Sequence, residues 1–181
     1  SGCGNDFASE RYMARKMIID SVKYLFKMFD IDGLRFDLMG LIDIKTMNEV
    51  IKEVRLIKKD ALIYGEGWNM GEELKEEEKA SSINAKKIPE IAFFNDSFRD
   101  IMKGGSFGDD LYKRGFGGGD INFLSGYLYA FLGSSANVTY HRRYDSSLQS
   151  LNYVECHDNH TIYDKLTISN YDEDNETLLK R

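Results

Sequence analysis

The chain has 181 residues, 42% hydrophobic and 30% charged, the balance of a soluble globular domain or of part of a larger one. Its net charge of −6 disfavours a nucleic-acid partner, which needs clustered Lys and Arg, but leaves a neutral ligand such as a sugar unaffected. No apolar run reaches the roughly 20 residues that span a bilayer, so no membrane partner is expected, and no signal-peptide pattern opens the chain.

The predicted elements follow in chain order. Helical spacing of Met13, Met17, Ile18, Val22, Leu25, Phe26 and Phe29 predicts a helix from about Asp6 to Phe29, capped by Asn5 or Asp6. Gly33 releases the chain into a strand, Leu34 to Leu38. Asp43 is placed to cap a second helix whose apolar stripe is Met47, Val50, Ile51, Val54 and Ile57. A strand from Ala61 to Tyr64 ends at Gly65-Glu66. The connection from Glu72 to Lys87, dense in Glu and Lys, reads as a solvated helix or mobile loop. After Pro89 come a strand, Ile91 to Phe94, and a short helix, Phe98 to Lys103. Gly104 to Gly119 is glycine-rich but lacks a phosphate-loop signature and reads as a loop on the substrate side. A helix is predicted from Asp120 to Gly133, with Phe123, Leu124, Tyr127, Leu128 and Phe131 on one apolar face. The last strand is Asn152 to Glu155, and the tail from Tyr171 is acidic, then helix-like.

Alternating strands and helices imply parallel strands with helical crossovers, an α/β fold. The two cysteines, Cys3 and Cys156, match neither a zinc spacing nor a CxxC redox motif and read as two free thiols, with a single disulfide as the alternative. With 11 Tyr, 11 Phe and a single Trp, most rings belong to the core, although sugar sites also use ring faces.

Three strands run into acids. They are Gly33-Leu34-Arg35-Phe36-Asp37-Leu38-Met39-Gly40, Tyr64-Gly65-Glu66-Gly67-Trp68 and Tyr153-Val154-Glu155-Cys156-His157-Asp158-Asn159-His160. Side chains alternate along a strand, so Arg35 and Asp37 share a face opposite Leu34, Phe36 and Leu38. In a parallel barrel that face looks into the lumen, and the C-terminal rim carries the chemistry. Each acid has a bland explanation: a structural ion pair for Arg35 and Asp37, a solvent-facing turn for Glu66, a polar loop start for His157-Asp158-Asn159. Together they suit glycosidic bond cleavage, which needs one ionised carboxylate and one that holds a proton. A guanidinium beside Asp37 makes it the nucleophile candidate. Glu66, with no cation in its own motif and Trp68 nearby, suits the acid/base, and Asp158 and His157 could bond sugar hydroxyls.

The motifs GLRFDLMG, YGEGW and VECHDNH resemble conserved regions of the α-amylase superfamily of glycoside hydrolases. SGCGNDFASERYM, FFNDSFRD and NYVECHDNHTIYDKL bring the resemblance to type I pullulanases, which debranch α-1,6 links in pullulan, starch and glycogen. The resemblance implies that Asp37 is the nucleophile, Glu66 the general acid/base and Asp158 the transition-state-stabilising aspartate of a retaining reaction. It implies substrate contacts from Arg35, His157 and Trp68, with Asn159, Asn95 and Asp96 as further candidates for the cleft wall. It covers about strands four to seven of a (β/α)8 TIM barrel, so residues 1–181 are read as a fragment of one catalytic barrel domain. The stretch alone is therefore expected to be inactive and open to self-association through its barrel edges. An α-1,4-acting hydrolase or transglycosylase, and a non-catalytic glucan-binding module, are the competing readings. No cofactor is required by the family resemblance. Calcium is left open, because no local cluster resembles a calcium loop and no ligands can be assigned. The resemblance leaves the compartment open between the outside and the inside of a bacterial cell.

Overall fold

The structure, a computed structural model, describes residues 4–181. Cys3 and the first residues of the SGCG motif lie outside the described residues. The chain divides into two compact units, Ser1–Phe94 and Asn95–Arg181. Its strands and helices alternate as an α/β fold, and among the described residues no helix is long and apolar enough to cross a membrane.

In the first unit, helix α1 (Tyr12–Phe29) starts six residues later than the sequence predicts, and Arg11, not Asn5 or Asp6, holds the N-cap position without a side-chain cap. The cause is Ser9. Its hydroxyl donates to Asp43 Oδ2 at 2.8 Å and accepts from the Asp43 amide at 2.9 Å, which draws the segment away from helical geometry. The predicted apolar stripe of α1 is buried only at Val22 and Phe26, whereas Met13, Met17 and Phe29 are exposed.

Strand β1 (Gly33–Phe36) ends before Asp37, because Leu38 adopts a left-handed conformation with φ of 45°. Helix α2 (Ile44–Ile57) begins where predicted. The Asp43 side chain accepts from the Thr46 amide at 2.9 Å, and Met47, Val50, Ile51 and Val54 are buried. Strands β2 (Leu62–Gly65) and β3 (Ala92–Asn95) follow. β1 pairs with β2 in parallel, placing Arg35 opposite Tyr64, and β2 pairs with β3 in parallel, placing Tyr64 opposite Ala92. Phe93, Ile88, Ile91 and Met39 are fully enclosed in this unit.

The connection predicted as a solvated helix or mobile loop is instead an ordered strap of two 3-10 turns, Glu76–Glu78 and Ser82–Lys87. Ala80, Ser81 and Ala85 are buried, and the Ala80 amide donates to the Ile42 carbonyl at 2.8 Å. Lys79 turns inward and donates to the Gly71 carbonyl at 2.7 Å. A run of Glu and Lys hides these few inward residues from a composition-based reading.

The second unit opens with α3 (Asp96–Lys103), ended by Gly104 in a left-handed conformation. In the glycine-rich segment a 3-10 turn, Gly108–Tyr112, is gathered by Lys165. The buried Lys165 ammonium donates to the carbonyls of Asp110, Leu111 and Lys113 at 2.9, 2.6 and 2.7 Å. Helix α4 (Leu124–Phe131) is shorter than predicted and turns a different face inward. Gly126, Tyr129 and Ala130 are buried, whereas Leu124, Leu128 and Phe131 are exposed. Gly126 is the reason: an added Cβ would lie 3.1 Å from Ile101 Cδ1, so the glycine lets α3 approach on that side. Strand β4 (Ser150–Asn152) starts two residues and ends three residues before its predicted span, and Tyr153 to Asn159 is irregular. Helices α5 (Ile162–Ser169) and α6 (Asn175–Leu178) complete the unit. α5 has no counterpart among the predicted elements, because its eight residues show too little apolar periodicity.

Candidate active site

The first unit brings Arg35, Asp37 and Glu66 together. Arg35 lies within β1, Asp37 directly after it, and Glu66 directly after the neighbouring strand β2. The parallel pairing sets them side by side: the Glu66 amide donates to the Phe36 carbonyl at 3.1 Å, continuing the ladder one residue past the end of β2. Arg35 then bonds both acids through its fork. Nη1 donates to Asp37 Oδ1, and Nη2 donates to Glu66 Oε1 at 2.5 Å. The guanidinium also lies over the Phe94 ring, 5.5 Å from its centroid, and Phe94 makes a T-shaped contact with Tyr64.

The two carboxylates occupy different surroundings. The Asp37 side chain is 62% exposed, and that of Glu66 is 5% exposed. Glu66 Oε2 accepts from the Leu38 amide at 2.8 Å, which is what the left-handed turn at Leu38 achieves. Glu66 has no cation in its own motif, but the structure brings one from outside it: the arginine that shares a strand face with Asp37 also reaches Glu66, a contact across two strands that no local motif reveals.

Two glycines hold the surrounding loops against each other. The Gly40 amide donates to the Glu66 carbonyl at 3.0 Å, and a Cβ on Gly40 would lie 1.8 Å from the Trp68 carbonyl oxygen. A Cβ on Gly67 would lie 2.3 Å from the Phe93 ring. The half-buried Trp68 follows this packed turn directly.

The second unit carries the other candidates. Asn95 is buried, and its amide donates to the Ala130 carbonyl at 3.2 Å and to Asn152 Oδ1 at 2.8 Å, while its oxygen accepts from Ser134. Asp96 accepts from the Tyr153 hydroxyl at 2.5 Å and pairs with Arg99 at 3.2 Å. Arg99 also donates to the Tyr153 oxygen at 2.7 Å and to Asp100 at 2.8 Å. Burial opposes the Arg99 charge, but the Asp100 hydrogen bond and the charges of Asp96 and Asp100 outweigh it and raise its pKa. Burial, reinforced by the bond to Asp96, pushes the Tyr153 hydroxyl above its ordinary range. The sequence reading missed this Asp96–Tyr153–Arg99 cluster; the three-residue step from Asp96 to Arg99 on a helix was its available signal.

His157 and Asp158 are exposed on the irregular segment after β4, with His157 Nε2 3.5 Å from Asp158 Oδ1. Asn159 turns the chain with φ of 68°. Cys156 is free and exposed, its sulfur accepting from the Asp158 amide at 3.5 Å. Cys156, His157 and Asp158 each place one donor atom within 4.8 Å of the others. A thiol and an imidazole are poor company for calcium, which takes oxygen ligands.

No protein-family model matches the chain. It is 41% identical over 169 residues to a pullulanase of Bacillus subtilis (strain 168), a match that covers 93% of this chain and 23% of that protein. It is 30% identical over 165 residues to pullulanase A of Streptococcus pneumoniae serotype 4, covering 89% of this chain and 12% of that one. Among solved structures, pullulanase type I from Bacillus subtilis str. 168 complexed with maltose superposes with a TM-score of 0.93 at 40% identity, covering 98% of this chain and 25% of that one. The pullulanase of Anoxybacillus sp. LM18-11 complexed with maltotriose gives a TM-score of 0.86 at 45% identity, covering 97% and 24%. The chain thus spans a quarter or less of the length of the relatives it matches.

Proposed function

We propose that this chain, part of a pullulanase, a glycoside hydrolase, supplies the paired carboxylates of a retaining hydrolase that cleaves α-1,6-glucosidic links in pullulan and branched α-glucans. The observation that carries the reading is the Arg35 fork, which joins Asp37 and Glu66 at the ends of adjacent parallel strands. In this reading the matched stretch is about the fourth to the seventh strand of an eight-stranded barrel, with the acids at its C-terminal rim. Maltose and maltotriose in the related crystal structures support an α-glucan as the ligand.

The roles follow from the surroundings. Asp37, exposed and bonded by Arg35, is placed to attack the anomeric carbon, forming a glycosyl ester as the glycosidic bond breaks. Glu66, enclosed and oriented by the Leu38 amide, gives its proton to the leaving oxygen and then takes one from the water that cleaves the ester. For that, the Arg35 contact at Glu66 Oε1 must give way to the glycosidic oxygen. Close spacing of the two carboxyls on one fork suits a retaining pair, roughly 5–5.5 Å apart, better than an inverting pair with a water between them. Asp158 and His157 bond sugar hydroxyls in the transition state, and Trp68 lines the acceptor side.

The test is hydrolysis of pullulan by the full-length polypeptide that contains this chain, with Asp37→Asn and Glu66→Gln. Asp37→Asn is expected to abolish turnover, and Glu66→Gln to lower it by about 10²- to 10⁴-fold. The reducing end created when water cleaves the ester should appear first in the α configuration by proton NMR. Cleavage of amylose but not pullulan would favour an α-1,4-acting relative. Glucan binding without turnover would favour a binding module. Full activity in Asp37→Asn would overturn the assignment.

A further inference from the structure

Among the buried charges that the mechanism leaves unused is one beside the segment that carries Asp158. Lys103, the last residue of α3, is 1% exposed, and its ammonium donates to the His160 carbonyl at 2.6 Å. Taking an ammonium out of water costs free energy that a methionine of similar length would not incur. Burial, with Arg99 nearby, depresses its pKa, while Glu155 acts in the opposite direction. A charge kept at such a place needs an explanation beyond packing.

Its partner supplies one. His160 closes the short irregular segment that displays His157, Asp158 and Asn159. Glu155, at the other end of that segment, bends back, and its Oε2 accepts from the Ile162 amide at 2.6 Å. Thr161 caps α5, accepting from the Asp164 amide at 3.1 Å. Between these anchors the chain reverses at Asn159, and the Asp158 amide rests on the Cys156 sulfur. The side chains of His157 and Asp158 stay 57% and 49% exposed, so packing does little to aim them. Backbone anchors must do it instead.

We propose that Lys103 and Glu155 are positioning residues that together clamp the segment from Glu155 to Ile162 and so fix the direction of the Asp158 carboxylate. This rests on the reading of Asp158 as a group that acts on the sugar. Lys103 holds the exit of the loop from a separate helix, and Glu155 ties its entry to the first turn of α5. Neither touches substrate. Each acts through the backbone that carries Asp158.

The experiment uses the full-length polypeptide with Lys103→Met, Glu155→Ala and Asp158→Asn, measuring kcat and KM on pullulan and amide hydrogen exchange over residues 156–162. Lys103→Met is expected to lower kcat between about 10- and 100-fold, as a small misplacement of a catalytic group does, while KM changes by less than about threefold. Exchange over 156–162 should quicken while that of α4 stays unchanged. Wild-type kcat and exchange in a folded Lys103→Met would overturn the proposal. Should Lys103→Met not fold, the exposed Glu155→Ala decides it: the same kcat-specific loss supports the clamp, and unchanged kcat overturns it. Wild-type kcat in Asp158→Asn would instead remove the underlying reading of Asp158, whereas the exchange data would still report on the clamp.

Discussion

The two units present their acids in different ways. In the first, Asp37 and Glu66 extend directly from paired parallel strands, and backbone ladder and guanidinium place them together. In the second, Asp158 stands on an irregular segment six residues beyond a three-residue strand, and side-chain anchors to backbone hold the segment. The contrast shows two routes to a fixed carboxylate. A strand end inherits its position from the sheet, so its precision depends on close backbone approach. A loop must be tied down, so its precision depends on individual polar contacts.

If that contrast is right, the first unit should suffer most from lost backbone clearance. Gly40→Ala is the sharpest case, because its methyl would meet the Trp68 carbonyl oxygen at 1.8 Å, backbone against backbone. It is expected to destabilise the fold by about 3 kcal/mol or more, beyond ordinary overpacking, and to displace Glu66 through the Gly40–Glu66 bond. Denaturant unfolding of the variant measures it, and an unchanged midpoint would break the comparison.

A smaller effect is expected at the cap that seats α2 in the same unit. Asp43→Ala removes the bond to the Thr46 amide and leaves Ser9 without its carboxylate, at a cost of about 1–2 kcal/mol. The sign with pH follows from the direction of the shift. Burial pulls the Asp43 pKa upward, but hydrogen bonds from Thr46 and Ser9 and the Arg15 charge outweigh it, and the folded value lies below the ordinary one. The Asp43 contribution is therefore complete above the unfolded carboxylate pKa of about 3.9 and fades as the pH falls through the lower folded value. Melting curves of wild type and Asp43→Ala should converge on acidification from pH 5 to pH 2; a constant gap would show that the carboxylate charge contributes nothing.

The smallest effect is expected in the second unit's loop. Asn159 has φ of 68°, a conformation asparagine tolerates better than alanine. Asn159→Ala should cost about 1 kcal/mol and Asn159→Gly almost nothing, read from paired unfolding curves. A larger loss in the glycine variant would mean that the Asn159 side chain, not its backbone, organises the loop.

Much of this was legible in the sequence, and the limits have physical causes. The α2 stripe and its Asp43 cap are local patterns, and both appear as read except at Ile57, which is only half-buried at the helix end, because a helix with one continuous apolar face has a single way to bury it. The same reasoning misjudged α1 and α4. Periodicity reports which residues could be buried, not which neighbour arrives: Met13 and Met17 remain exposed, and Gly126 redirects the inward face of α4. Strand ends moved by one to three residues, that of β1 because Leu38 turns away to give its amide to Glu66.

By itself, the sequence determined the α/β alternation, the parallel strands β1 to β3 and the acids that follow β1 and β2, since these depend on spacing within short segments. Only the tertiary structure decided that one arginine serves both Asp37 and Glu66, that Asp96 is held by Tyr153 and Arg99, and that a buried lysine grips the loop bearing Asp158. The Arg35–Glu66, Asp96–Tyr153 and Lys103–His160 contacts join residues 31 to 57 positions apart, and a polar bond of that reach is set by packing, on which local pattern is silent.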